Sequence, residues 1–236
     1  MTADQVALAS GNAGWMLVSA SLVLLMTPGL AFFYGGMTSR RSVLNMMMMS
    51  FTAMGVVSVV YVLWGWSMSY GTQSVGGLFA NPFEFFGLRN SITNGGGAYI
   101  AGGNGYANVI DIAFQLTFAV ISVAIISGAI ASRVKIGAWM VFAGVWATLV
   151  YFPLAHMVWG GGLLGEGTRS VAAWMFGSEN GEAHIAPIDF AGGTVVHISA
   201  GVAALVLVLV IGQREGFPQS NSRPHNPVSY THLTLP

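Results

Sequence analysis

The sequence predicts an all-α membrane protein that crosses the bilayer five times. Three observations predict it. First, the 236 residues are 54% hydrophobic and 7% charged, with a mean hydropathy of +0.68; an ordinary soluble domain is ~25% charged. Second, five apolar runs are each long enough for a helix rising ~1.5 Å per residue to cross a ~30 Å hydrocarbon core. Third, the basic residues alternate between connections. Arg40, Arg41, Arg133, Lys135, Arg214 and Arg223 fall on one side, and only Arg89 and Arg169 on the other. The positive-inside rule then puts the N-terminus outside and the Arg214 end in the cytoplasm. The formal net charge of +0 gives no reason to expect a nucleic-acid partner. The absence of cysteine excludes disulfides, thiolate metal sites and cysteine nucleophiles. Thirty-two glycines suit close helix packing and glycine-rich loops.

Met1–Gly14 is polar and lacks the basic start of a signal peptide. The first span is expected at 15–34, with Thr27-Pro28-Gly29 kinking or breaking it. The second is expected at 43–70. Its Met46–Met49 run reads as packing, because consecutive residues point around a helix and cannot converge on a metal. Trp64, Trp66 and Tyr70 at its end look like an interfacial aromatic belt. Residues 71–105 form a Gly- and Asn-rich loop with a short amphipathic piece around Pro82–Leu88. Its GGGAYIAGGNG has neither the preceding strand nor the following Lys-Ser/Thr of a phosphate loop.

The third span, 106–131, carries Asp111, Phe114, Gln115 and Phe118. A tight basic loop leads to the fourth, 136–158, broken near Pro153 and followed closely by Trp159. The connection 160–188 is polar and holds Glu166, Glu179, Glu182 and His184. The fifth span, 190–212, has one ionisable side chain, His197, between Asp189 and Arg214. Asp189 sits where that helix would begin, as acids favour, and His197 lies about two turns deeper. Gly193 and Gly201 share the stripe of His197, and Gly192, Ala200 and Ala204 form a second stripe that lets another helix approach closely.

Three features carry chemistry. His197 is an ionisable group at membrane depth, a functional candidate by default, although a core histidine bonded to a neighbouring helix would look the same. Phe114 and Phe118 lie on one helix face, as lipid-facing or core phenylalanines also would. Trp159, followed by three glycines, is either an exposed cation–π platform or an interfacial anchor. Together they outline a path for a small cation. It has an aromatic entrance, an aromatic constriction and an imidazole in an apolar lumen that opposes charge and passes neutral species.

DFAGGTVVHISAG, continued to IGQR, resembles the signature of the ammonium transporter family (Amt/Mep/Rh). TPGLAFFYGGM in the first span, AFQLTF in the third and PLAHMVWGGGLL after the fourth are similar to that family in order and spacing. The resemblance implies that Trp159 and Phe118 bind ammonium at the outer site. Phe118 shares the upper gate, and Phe114 and Gln115 line or adjoin the entrance. It implies that Asp189 supports binding or deprotonation without touching the ion, and that His197 is the first of two pore histidines. It further implies a non-enzymatic protein of a bacterial cell membrane. Such a protein works without cofactor or metal, assembles as a homotrimer, takes methylammonium as an analogue and binds regulators of the PII class on its cytoplasmic face.

The family fold has about eleven membrane helices, with two five-helix halves in inverted orientation around the pore. The five spans here resemble its first half, over 1–227. The partner histidine, the second gate phenylalanine and the outer-site serine have no counterpart, and VSYTHLTLP at 228–236 reads as a non-native tail. The chain is therefore expected to be a truncated half, inactive alone. An ammonium sensor on the same membrane domain is the alternative. A haem protein using His156 and His197 is disfavoured by their different depths, and a hydrolase by the lack of an indicated nucleophile.

Overall fold

A computed structural model describes residues 3–102, 105–214 and 224–233. Five helices long and apolar enough to cross a membrane form the body: Ala3–Met37, Val43–Tyr70, Asn108–Ile130, Ile136–Trp159 and Gly193–Ile211. They are called the first to fifth spans below. Four agree with the sequence reading to within three residues. The first begins at Ala3, twelve residues before the expected start, because the polar N-terminal segment continues the same helix. That helix also runs unbroken through Pro28, where the sequence suggested a kink or break. Residues 1–2 and Arg223 of the expected basic side lie outside the described residues.

The third span is the centre of the bundle. Half of its apolar window is buried (50%), against 17% for the first span and 22% for the fifth. It packs against the first, second and fifth spans, while the second also packs against the fourth. The core fills the space between them with Met46, Met49, Val120, Val123, Trp139 and Phe152. Met46 and Met49 are buried while Met48 is exposed, as expected of residues pointing around a helix. Glycine sets the closest approaches. A Cβ at Gly128 would lie 2.6 Å from the Tyr34 ring, so only glycine lets that ring cross the third span and donate its hydroxyl to the Ile125 carbonyl at 3.0 Å. Trp139 ties the fourth span to the second by donating Nε1–H to the Met49 carbonyl at 2.8 Å.

Three spans contain a π-helical segment: Tyr61–Gly65 in the second, Ala147–Tyr151 in the fourth and Gly193–Ile198 at the start of the fifth. The second of these immediately precedes Pro153, whose ring and missing N–H disfavour regular α-helix. The wider turn carries the chain past the proline without breaking the span.

The two ends of the bundle differ. At the basic end, Arg133 donates to the carbonyls of Gly212 (2.6 Å) and Ala129, closing the carbonyl terminus of the fifth span. At the other end, two loops fold over the helix termini. A hairpin, Ser74–Val75 with Phe79–Ala80, is held by Glu84, which accepts from the Thr72 hydroxyl (2.5 Å) and the amides of Thr72 (3.1 Å) and Gln73 (3.0 Å). The expected amphipathic piece after it is a single 3-10 turn, Phe86–Leu88. The second loop carries a short helix, Val171–Phe176, and a hairpin, Ser178–Glu179 with Glu182–Ala183. Residues Pro227–Leu233 form a short helix against the first span.

Of the aromatic belt expected at the end of the second span, Trp66 is buried, while Trp64 and Tyr70 remain partly exposed. Trp66 is 7% exposed and stacks within 4.7 Å of Tyr70 and 6.4 Å of Tyr61, while Trp64 donates to Thr148 at 3.0 Å.

Candidate functional site

The loop end of the bundle opens into a cleft of about 850 Å3. Phe114, Gln115 and Phe118 of the third span reach it from one side, and Trp159 and Asp189 from the other. The sequence reading placed these five residues at one entrance, and the structure brings all five to one cavity. Phe114 and Phe118 meet edge-on at 4.9 Å between centroids, as the four-residue spacing requires. Phe118 in turn meets Trp159 edge-on at 6.4 Å, so three rings form a continuous aromatic wall.

Trp159 is fixed and not merely adjacent. Its Nε1–H donates to the backbone carbonyl of Asp189 at 2.7 Å. Trp159 is half-buried and lines the cleft. Directly after it the chain turns sharply. A Cβ at Gly160 would lie 2.1 Å from the Ser69 carbonyl oxygen, and one at Gly162 would lie 2.4 Å from that of Gly77. The glycines after Trp159 therefore let the turn press against the second span and the hairpin.

Asp189 does two jobs from one position. Its carbonyl holds Trp159. Its carboxylate Oδ2 accepts from the amides of Thr194 and Val195, both at 3.0 Å. These are orphan donors of the first turn of the fifth span, and a carboxylate is favoured there by the helix dipole as well. The residue lies outside the helix, however. Gly192 is the N-cap, in the left-handed region at φ 79°, and the chain loops back so that Asp189 caps from three residues upstream. A Cβ at Gly192 would also lie 2.7 Å from Val196, which makes glycine the residue that fits. The expected picture of Asp189 as the first residue of a regular helix is thus corrected: a capping loop and a π turn stand between it and His197.

His197 does not line the cleft. It lies within the π turn, exposed on the flank of the fifth span together with Gly193 and Gly201. Nδ1 is 3.2 Å from the Gly192 carbonyl, which only accepts, so Nδ1 is the donor and, in the neutral tautomer this sets, Nε2 is the acceptor. The second small-residue stripe faces inward, with Gly192 and Ala200 buried. His156 is the opposite case. It is 1% exposed, Nδ1 donates to the Ser69 carbonyl at 3.1 Å and Nε2 accepts from Ser74 Oγ at 2.8 Å. One ring nitrogen is tied to the second span and the other to the hairpin, which leaves neither for a haem iron.

The cleft contains residues that sequence reasoning gave no role. Trp15 and Ser19, one turn apart on the first span, line it, as do Glu166 and Phe190; Tyr70, read as part of an aromatic belt, lines it as well. Trp15 and Ser19 share a helix face by spacing, but nothing local says which face meets the third span. Glu166 was visible only as one loop acid among several. Among the described residues no group of three or more His, Cys, Asp or Glu side chains is placed to hold a metal.

The fold and the cleft define a polytopic membrane protein with an aromatic vestibule at one end of a glycine-packed bundle. Residues 14–233 match the Ammonium Transporter Family, and the chain belongs to it. It is 49% identical over 229 residues to an ammonium transporter of Mycobacterium bovis, covering 92% of this chain and 45% of that protein. Among solved structures it resembles Saccharomyces cerevisiae Mep2, with a TM-score of 0.72 and 26% identity over 94% of this chain and 46% of that one. A structure titled Sensor Amt Protein has a TM-score of 0.75 at 22% identity, covering 96% of this chain and 51% of that one, and shares the fold. The chain spans about half the length of the curated relatives it matches.

Proposed function

We propose that this chain is the half of an ammonium transporter that builds the capture site and one wall of the pore. NH4+ settles on the aromatic wall of Trp159 and Phe118, where ring quadrupoles attract a cation at least partly stripped of water. Phe114 and Gln115 shape the approach. Asp189 acts by position: it holds the Trp159 ring and the start of the fifth span without contacting the ion. Past the phenylalanines a proton is lost, since burying an unpaired charge is costly, and NH3 continues along a lumen lined by His197. With Nδ1 committed to Gly192, His197 offers Nε2 as an acceptor for an N–H of the passing molecule. No step of this reading needs a catalytic residue, metal or cofactor.

The observation that carries the reading is the bond from Trp159 Nε1 to the Asp189 carbonyl. It presents an indole beside two phenylalanines in an open cleft, and a structural tryptophan would need no such exposure. In the whole protein we further propose a homotrimer, a PII-class regulator on the Arg214 face, and an N-terminus outside a bacterial cell membrane. The exposed flank around His197 is the surface on which a second half would close the pore. A sensor role on the same fold is the competing reading, and it would keep capture but not flux.

The test is binding of methylammonium to the chain in lipid nanodiscs, followed by saturation-transfer NMR. Saturable binding that Trp159→Leu weakens at least about tenfold is expected, the scale of losing one desolvated cation–π contact of ~1.4 kcal/mol or more. Equal binding by the Leu variant would remove Trp159 from the capture site.

A further inference from the structure

Two carboxylates line the cleft, Asp189 and Glu166. They are not equivalent. The Asp189 carboxylate is spent on the amides of Thr194 and Val195 and is half-buried. Glu166 is exposed, and among the described residues its carboxylate makes no hydrogen bond and no ion pair, including with Arg169 three positions on. No lysine or arginine lines the cleft. Neither carboxylate has a cationic partner in the cleft lining, and Glu166 is the one whose oxygens are not already committed to amides.

Its backbone is also held in place. The turn that follows Trp159 is stapled by Leu164 N–H to the Met157 carbonyl (2.8 Å) and Gly165 N–H to the Gly162 carbonyl (3.1 Å). The Glu166 carbonyl itself accepts from Ala183 N–H at 2.7 Å, fastening it to the Glu182–Ala183 strand. Gly165, next to it, is buried and lines the cleft as well. An exposed glutamate can sit on an unattached stretch. This one is tied to the end of the fourth span, seven residues from Trp159, at the rim of the same cavity.

We propose that Glu166 is a capture residue: its carboxylate draws small monovalent cations to the cleft mouth and hands them to the aromatic wall of Phe118 and Trp159. The inference rests on the capture reading above and deepens it. The aromatic wall supplies a short-range attraction that distinguishes cations by size and hydration. Glu166 supplies the longer-range one, which raises the local cation concentration and falls with ionic strength. Division between the two explains why the acid is at the rim: at the aromatic floor it would hold the cation as an ion pair and oppose its release.

The test compares wild type, Glu166→Gln, Glu166→Lys and, as a control for loop charge, Glu179→Gln. All are full chains in neutral-lipid nanodiscs titrated with methylammonium at low ionic strength. One charge a few ångströms from the bound cation, in a water-filled mouth, changes affinity about threefold. Glu166→Gln is expected to raise the apparent Kd by about that factor and Glu166→Lys by about tenfold, with Glu179→Gln unchanged. The differences should collapse at ten times the ionic strength, made up with N-methylglucamine chloride. Unchanged affinity in Glu166→Gln, or an equal loss in Glu179→Gln, overturns the role of Glu166 while leaving the aromatic site standing. Absence of saturable binding by the wild type overturns the capture reading and this inference with it.

Discussion

The fourth and fifth spans each carry one histidine, His156 at the loop end and His197 on the outer flank, and the fold treats them in opposite ways. At the loop end His156 is buried with both nitrogens bonded, and the Ser69 carbonyl, the Ser74 hydroxyl and the Gly160 turn close around it. On the flank His197 is exposed, with one nitrogen bonded to its own helix and the other open. The first arrangement fixes a shape. The second leaves a hydrogen-bonding capacity unspent, as the conducting role proposed for His197 requires. Burial and bonding, more than the presence of an imidazole in an apolar span, separate a structural histidine from a working one.

This contrast can be broken at several points. The largest effect is expected from His156→Ala, which empties a buried site and orphans two partners. It should cost about 3 kcal/mol, read as a lowered midpoint of thermal unfolding by circular dichroism in detergent. A loss below about 1 kcal/mol would mean the loop end is not held by His156. Asp189→Ala should follow at about 2 kcal/mol, since two helix-start amides lose their acceptor. Asp189→Asn, which keeps an acceptor oxygen, should recover most of it; failure to do so would assign the effect to charge instead of capping.

A smaller effect belongs to Glu84. Burial pushes its carboxyl up, but bonds from the Thr72 hydroxyl and the Gln73 and Thr72 amides outweigh this and hold it below the usual carboxylate value. Its contribution is thus present above the unfolded value of ~4.3 and is lost as pH falls through the lower folded one. For so exposed a group, screening leaves on the order of 0.5 kcal/mol. Melts of wild type and Glu84→Gln should converge as pH is lowered from 5 to 3, and parallel curves would contradict this. The smallest effect on stability is expected from His197→Ala, within about 0.5 kcal/mol of wild type. Methylammonium should still bind the cleft. The same change in a full-length transporter should lower flux, and unchanged flux would deny His197 a conducting role.

Much of this was legible in the chain. Hydropathy located all five spans, because apolar length is what a bilayer demands. The four-residue spacing of Phe114 and Phe118 placed both rings on one face. Motif resemblance joined Trp159, Phe118 and Asp189 before any contact was seen. What escaped was tertiary. The polar start of the first helix has no hydrophobic period to announce it. Trp66 resembles part of a belt until the packing that buries it is in place. Asp189 caps from outside the helix because the left-handed Gly192 reverses the chain, a detail that only backbone geometry reveals. Glu166 becomes distinctive only when its neighbours in the cleft prove uncharged or already bonded.

The π segments carry a consequence of a different kind. Each amounts to one residue more than an α-helix would use, and one residue is a rotation of about 100°. Deleting a single residue from Ala147–Tyr151 would let the fourth span relax to regular α-helix. It would leave Trp159, downstream, on the cleft face, because the wide turn absorbs its extra residue within about one rotation; deleting Leu154 from the α-helix Phe152–Trp159 would instead swing Trp159 about a quarter-turn off the cleft. The aromatic wall is therefore set by a count as much as by identities. A variant lacking Leu154 would keep every residue named in the site and lose the site itself.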